Sequence, residues 1–237
     1  VVELPGSARG DDGRVAIVTG ASRGIGLAIA RRFIRDGIDV IVTSRSEDGA
    51  GAAAAELGPG ATGFAANAAD AEQAAACVDF AMRRFDSIDI LVNNAGTNPA
   101  YGRLVDIGHA VFAKTTEVNL WAPIMWSGLV FHASMAERGG AIVNVGSAGG
   151  LTVEPMIGVY NATKAGLIHA TRQLAYELGP GVRVNAVAPG LVRTKLAEKL
   201  WLDREAEVAA ETPLRRTASP TTSRPASRSW SARIARG

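Results

Sequence analysis

The stretch "RVAIVTGASRGIGLAIARRFIRDG", residues 14–37, decides the fold. Its opening, residues 14–20, is a short apolar and β-branched run that ends in glycine. A strand buried on both faces reads this way. Its second half, residues 24–37, sets apolar side chains at helical spacing and stops at a glycine, which predicts a helix. Between the two, Gly20, Gly24 and Gly26 occupy the strand-to-helix turn. A side chain there would keep the backbone away from a pyrophosphate, and the free amides of a new helix face an anion. The spacing is G-x-x-x-G-x-G, not the G-x-G-x-x-G of the general dinucleotide fingerprint. Taken alone, the turn also fits glycines that serve tight packing only.

Working outward, the same grammar repeats. Residues 39–45, 88–96, 140–147 and 182–190 read as further buried strands. Helices are expected over residues 70–85, from about 108 through 119 and on through 135, and over 160–178. Strands alternate with helices and are apolar on both sides. That pattern asks for an α/β fold, a doubly wound parallel sheet with helices on both faces in three α/β/α layers. Three segments are expected: a Gly- and Asp-rich lead-in at 1–13, one catalytic domain at 14–216, and an irregular tail at 217–237.

Composition narrows the function. The chain has 237 residues, of which 47% are apolar and 20% charged, enough for a buried core. Its net charge is only +2, with the basic excess near the C-terminal end, so nucleic acid is not expected as a partner. Cys77 is the one cysteine, which excludes an intramolecular disulfide and reads as a small core residue. His109, His132 and His169 lack ligand spacing, so no metal is expected. Neither a secretion signal nor a membrane span is visible, which points to a cytoplasmic protein.

The chemistry is carried further along. In "VYNATKAG" Tyr160 and Lys164 lie four apart, one helical turn, so the two side chains share a face. Ser147 precedes Tyr160 by thirteen residues at the end of an expected strand. An ammonium beside a phenol favours phenolate, so a lowered Tyr160 pKa is expected. That would suit a general acid/base, with Ser147 hydrogen-bonding the oxygen of the reacting carbonyl or alcohol. Trp121 and Trp126 are expected to pack against helices.

T-G-x-x-x-G-x-G, N-N-A-G, a serine, Y-x-x-x-K and P-G-x-x-x-T occur here in this order. Over about 200 residues the chain resembles the short-chain dehydrogenase/reductase family, and within it ketoreductases of the 3-oxoacyl-reductase type. The resemblance implies a Rossmann-type sheet and a catalytic set of Asn119, Ser147, Tyr160 and Lys164. It implies that Asn119 holds a water linking Lys164 to solvent. The nicotinamide cofactor would be held by Gly20, Ser22, Arg23, Gly24, Ile25 and Gly26. Asn93, Asn94, Ala95 and Gly96 would steady the central strand against it. Tyr160 and Lys164 would also touch it, Pro189 and Gly190 would open the loop over the nicotinamide, and Thr194 would bind the carboxamide. Asn67 stands near the adenine, where the family often has Asp.

At the end of the second strand the family's NAD-binding members carry an acidic residue. Ser44 and Arg45 stand here instead, and Arg23 adds a second cation. Two arginines and no carboxylate suit a 2′-phosphate, so NADP(H) is favoured over NAD(H). The implied reaction moves a hydride between that cofactor and a ketone or secondary alcohol, a small-molecule substrate. Residues 191–203 resemble the family's mobile lid, and Leu196, Leu200 and Trp201 would close over an apolar substrate, with Ser147 on its oxygen. An acyl carrier protein partner is not supported, since "LWAPIMWSGLVFH" after Asn119 is apolar where a basic docking residue is expected. A non-catalytic nucleotide-binding relative and a damaged enzyme are the alternatives.

The tail poses its own question. After "TPLRR" the family continues with Gly-x-Pro-x-Asp-Ile, a helix, a last parallel strand and Asp-Gly-Gly. Residues 217–237 are rich in Pro, Ser and Arg instead. "ASPTTS", residues 218–223, can be written GCG AGC CCG ACG ACA TCG. Read one nucleotide earlier, with G closing the codon of Thr217, it gives Gly-Glu-Pro-Asp-Asp-Ile. "RSWSA", residues 228–232, shifts likewise to Phe-Leu-Val-Ser. A frameshifted tail is therefore expected, against the alternative of a genuine disordered extension. The family's homodimer or homotetramer would then lose a surface along with the last edge strand, and 217–237 should pair with no residue of the 182–188 strand and pack poorly.

Overall fold

The computed structural model describes residues 13–202, 205–212 and 214–221. Six parallel strands form one sheet: β1 (Val15–Val18), β2 (Asp39–Ser44), β3 (Ala61–Ala65), β4 (Ile90–Asn93), β5 (Gly140–Val145) and β6 (Val182–Val187). Their order is β3-β2-β1-β4-β5-β6. The helices are α1 (Gly24–Arg35), α2 (Glu47–Leu57), α3 (Ala71–Phe85), α4 (His109–Thr116), α5 (Ala122–Val130), α6 (Ala136–Arg138), α7 (Gly158–Leu178), α8 (Glu198–Trp201) and α9 (Glu205–Glu211). Two π-turns, Glu117–Trp121 and Phe131–Met135, join α4, α5 and α6 into one long rod.

In β1, β2, β4 and β5 the side chains alternate between two buried faces, which is why these strands read as continuous apolar runs. Val15, Ile17, Ile41, Leu91 and Ile142 meet Cys77, Val78 and Phe85 of α3 and Met125, Trp126 and Val130 of α5 on one face. Ala16, Val18, Val40, Val42, Ile90 and Val92 meet Ala30 and Phe33 of α1 and Ala53 of α2 on the other. Cys77 is fully buried, and burial pushes its thiol up to about 12. Trp126 is also buried, its indole N–H donating to the Ala68 carbonyl at 2.9 Å. Trp121 departs from expectation: it lies half exposed, because the π-turn at Glu117–Trp121 turns Asn119 inward and leaves Trp121 on the outer face.

The strand order reverses direction of winding between β1 and β4. In open α/β sheets this switch point, at the carboxyl ends of the strands, is where ligands sit. Gly20–Gly26 follows β1 and Asn94–Gly96 follows β4, so both converge there. Among the described residues β6 is the outer strand of its side of the sheet. The start of the expected tail is better held than expected. Ala218 bridges Val192, its N–H donating to the Leu191 carbonyl while its own carbonyl accepts from Arg193 N–H at 2.8 Å. Thr217 is buried, and its hydroxyl donates to Glu205 at 2.7 Å, the same carboxylate that pairs with Arg193. Residues 222–237 lie outside the described residues. No helix among the described residues is long and apolar enough to cross a membrane.

Candidate active site

The glycine turn is shaped by close approach. A Cβ on Gly20 would fall 2.9 Å from Ala95 Cα, and one on Gly26 would fall 2.5 Å from Asn94 Nδ2 and 2.9 Å from Ala21 Cα. Asn94 fastens the turn by donating from Nδ2 to the Thr19 and Gly20 carbonyls at 2.9 and 3.0 Å. Thr19 Oγ1 in turn accepts the N–H groups of Asn94 and Ala95 at 3.0 and 3.1 Å. The cradle leaves backbone open at the N-terminus of α1, a place suited to phosphate. Ser22 and Ile25 sit partly buried on this turn, and Thr194 reaches it from the far side, 3.5 Å from a Cβ on Gly24.

Arg23 and Arg45 are both exposed, and neither has an ion-pair partner among the described residues. Arg45 follows the end of β2, and Asn67 follows β3, where its Oδ1 accepts from Ala69 N–H at 3.3 Å. Asn93 does a different job. Its Nδ2 donates to Asn144 Oδ1 at 2.9 Å, and Asn144 donates on to Thr171 at 2.9 Å. This buried chain ties β4 to β5 and α7.

Asn119 and Lys164 meet at Gly96, and Tyr160 lies beside Lys164, with Ser147 acting on its phenol. Asn119 Oδ1 and Lys164 Nζ each lie 3.6 Å from the point where a Cβ on Gly96 would stand. Asn119 is fully buried; its Oδ1 accepts Thr97 N–H at 2.8 Å and its Nδ2 donates to the Thr97 carbonyl at 2.9 Å and to Thr163 at 3.2 Å. The π-turn that carries Asn119 is a feature that recurs at functional positions in helices. Ser147 lies two residues past β5 and caps the short turn that follows, its Oγ accepting Gly149 N–H at 3.2 Å. Gly150 lets this turn press on α7: a Cβ there would stand 2.8 Å from the Lys164 carbonyl carbon. The Pro189 carbonyl, next to exposed Gly190, accepts Ala148 N–H at 2.8 Å and joins the turn to the loop after β6.

The electrostatics correct one expectation. Tyr160 is pushed above its ordinary pKa, mainly by burial; a hydrogen bond from Ser147 pulls the other way, and the carboxylate of Glu154 pushes further up. Desolvation outweighs the lysine because Lys164 is itself buried and lowered to about 8. Lys164 Nζ donates to the Val145 carbonyl at 2.7 Å and lies 5.7 Å from the centre of the Tyr160 ring. Of the three lid residues, Leu196 is exposed, Leu200 is partly buried, and Trp201 is partly buried with its indole N–H on the Thr194 carbonyl at 3.4 Å. Sequence reasoning counted Thr19 in the T-G-x-x-x-G-x-G motif but passed over Thr163, Gly149 and Gly150, although a glycine pair after Ser147 was there to notice.

A family model described as enoyl-(acyl carrier protein) reductase matches residues 20–226. The chain belongs to the short-chain dehydrogenase/reductase family. It is 37% identical over 206 residues to the human protein "Dehydrogenase/reductase SDR family member 4", covering 85% of this chain and 74% of that one. The Caenorhabditis elegans protein of the same name is 38% identical over 203 residues, with 84% and 78% covered. Among solved structures, a variant of actinorhodin polyketide ketoreductase with NADPH superposes with a TM-score of 0.86 at 31% identity, covering 94% of this chain and 90% of that one. A Brucella melitensis short-chain dehydrogenase titled glucose/ribitol dehydrogenase superposes at 0.83 with 32% identity, covering 88% and 85%. The chain is thus an NAD(P)-dependent dehydrogenase/reductase.

Proposed function

We propose that the enzyme uses NADP(H) and interconverts a ketone and a secondary alcohol, with Tyr160 as the group that moves the proton. The single observation behind this reading is the convergence of Asn119 and Lys164 on Gly96, with Tyr160 one helical turn from Lys164 and its ring centre 5.7 Å from the Lys164 Nζ. A nicotinamide cofactor, when bound, supplies or accepts the hydride at the carbon of that C–O bond. The glycine turn suits its pyrophosphate because it presents the backbone amides at the N-terminus of α1, and Gly20 and Gly26 keep that turn packed tightly on Ala95 and Asn94. Gly20, Ser22, Gly24, Ile25 and Gly26 would hold the phosphates, and Thr194 would meet the nicotinamide end. Arg23 and Arg45, exposed and without ion pairs among the described residues, suit a 2′-phosphate.

Ser147 Oγ offers a hydrogen bond to the substrate oxygen and lowers the cost of charge building there. Tyr160, held protonated by burial, is ready to donate to that oxygen as it gains charge, which suits reduction. The Lys164 ammonium stabilises the phenolate left behind. Asn119 fixes Thr97 and Thr163 and so keeps Tyr160, whose carbonyl accepts the Thr163 hydroxyl at 2.8 Å, in register.

NADPH oxidation with a panel of ketones, run beside cofactor-induced melting shifts, tests the reading. Turnover with NADPH and a larger melting shift with NADPH than with NADH are expected. A melting shift without turnover of any ketone would favour a nucleotide-binding protein that does no chemistry.

A further inference from the structure

Residues 151–156 form the loop between the Ser147 turn and α7, and their polarity is inverted. Leu151 and Val153 face solvent, Val153 almost completely, and Thr152, Pro155 and Met156 are exposed as well. Glu154 alone in this run is drawn in. Its carboxyl carbon stands 3.2 Å from the point where a Cβ on Gly149 would be, two residues past Ser147. That inward placement is held at several points. The Glu154 carbonyl accepts Asn161 Nδ2–H at 3.0 Å, directly beside Tyr160 in α7. Thr152 Oγ1 donates to the Ala148 carbonyl at 3.1 Å, and the Met156 carbonyl accepts Gly102 N–H at 2.8 Å. Met156 is kept at φ 67°, a left-handed conformation that a side chain of its kind seldom adopts. A segment folded against its own preferences to bring a carboxylate in is a segment positioned for that carboxylate.

The carboxylate itself has no hydrogen bond and no ion pair among the described residues. Burial weakens its acidity, and its charge raises the pKa of the Tyr160 phenol. Left uncompensated, it burdens the group that must form a phenolate. A donor on the bound substrate would relieve that burden, because a hydrogen bond to a half-buried carboxylate disperses its charge. A hydroxyl meets this need without adding charge, whereas an ammonium would place a second cation near Lys164.

We propose that Glu154 is a specificity-determining residue that accepts a hydrogen bond from a hydroxyl carried close to the reacting carbonyl, so that hydroxy ketones are preferred over ketones without such a donor. This rests on the ketone–alcohol reading above. In the reverse direction the preferred substrates are vicinal diols.

The test compares matched pairs: acetoin against butanone, and phenacyl alcohol against acetophenone, each with NADPH, in the parent, Glu154→Leu and Glu154→Gln. In the parent, kcat/KM is expected to favour the hydroxy ketone by about tenfold to a hundredfold. Glu154→Leu should bring the ratio near one. Glu154→Gln, whose amide oxygen still accepts, should keep part of the preference, and it carries the test if the leucine variant does not fold. A parent ratio near one, or an unchanged ratio in the folded variants, overturns the role of Glu154 while the plain-ketone rates uphold the reaction. Failure of the parent on both members of both pairs overturns the ketone reading, and this inference with it.

Discussion

Lys164→Met should make the folded protein more stable at neutral pH while destroying its activity. Lys164 is almost completely buried, and burial lowers its pKa from 10.5 to about 8. A fall of that size means that folding works against about 3 kcal/mol of lost hydration at this one ammonium. Below about pH 8 the lysine is charged in the folded and the unfolded chain alike, and the full cost is present. Above 10.5 it is neutral in both, and the cost is gone, so this residue's contribution to stability improves as pH rises through that window. Methionine removes the cost but leaves the Val145 carbonyl without the donor it has at 2.7 Å, a loss of about 1–2 kcal/mol. The balance is a gain of about 1–2 kcal/mol near pH 7, or a Tm higher by about 2–8 °C for a chain of this length. Thermal melts of the parent and Lys164→Met near pH 7 and again near pH 10 would read it. The gap should narrow or reverse at the higher pH. A variant destabilised near pH 7, or a gap that does not change with pH, would refute the reasoning.

Three further outcomes are expected. Arg45→Asp should lower kcat/KM with NADPH by about tenfold or more and move preference toward NADH, since a carboxylate repels a 2′-phosphate; steady-state kinetics with both cofactors read this, and equal use of both by the parent would contradict it. Gly26→Ala should cost about 2–3 kcal/mol in denaturant melts and abolish the cofactor melting shift, because its Cβ would fall 2.5 Å from the Asn94 Nδ2 that fastens the glycine turn. For the tail, the gene read one nucleotide earlier from Thr217 onward should encode Gly-x-Pro-x-Asp-Ile and then a family-like last strand; an offset frame without that segment would leave residues 217–237 as a genuine extension.

The parts of the fold visible in the sequence were those where one interaction dominates. Strands β1, β2, β4 and β5 are buried on both faces, so their apolar runs stand out, while β6 shows its run on one face through Val182 and Val184; the glycine turn is fixed by steric limits at Gly20 and Gly26. Helix α2 and strand β3 escaped notice. The first is "EDGAGAAAAEL", where alanine and glycine blur any apolar period, and the second is "ATGFA", with Phe64 its one large side chain. The π-turn at Glu117–Trp121 has no local signature either; it arises where α4 and the turn itself are pressed against α7, with Leu120 3.2 Å from the Cβ position of Gly166. At the site, residue identities were legible and energies were not. Tyr160 and Lys164 were expected to share a face, yet the direction of the Tyr160 shift depends on burial that only the packed fold supplies. Glu154 looked like any loop acid until the loop turned it inward.

The most direct test of the central claim is ketone reduction by Tyr160→Phe, measured beside its affinity for NADPH. The phenol hydroxyl is the proton donor, whereas the phosphates are held at the glycine turn, so the two readouts should separate. With a ketone the parent reduces, kcat should fall by about a thousandfold or more while the Kd for NADPH changes by less than about threefold. A variant that keeps a kcat near the parent's, with the cofactor bound as tightly, would remove Tyr160 from the proton step.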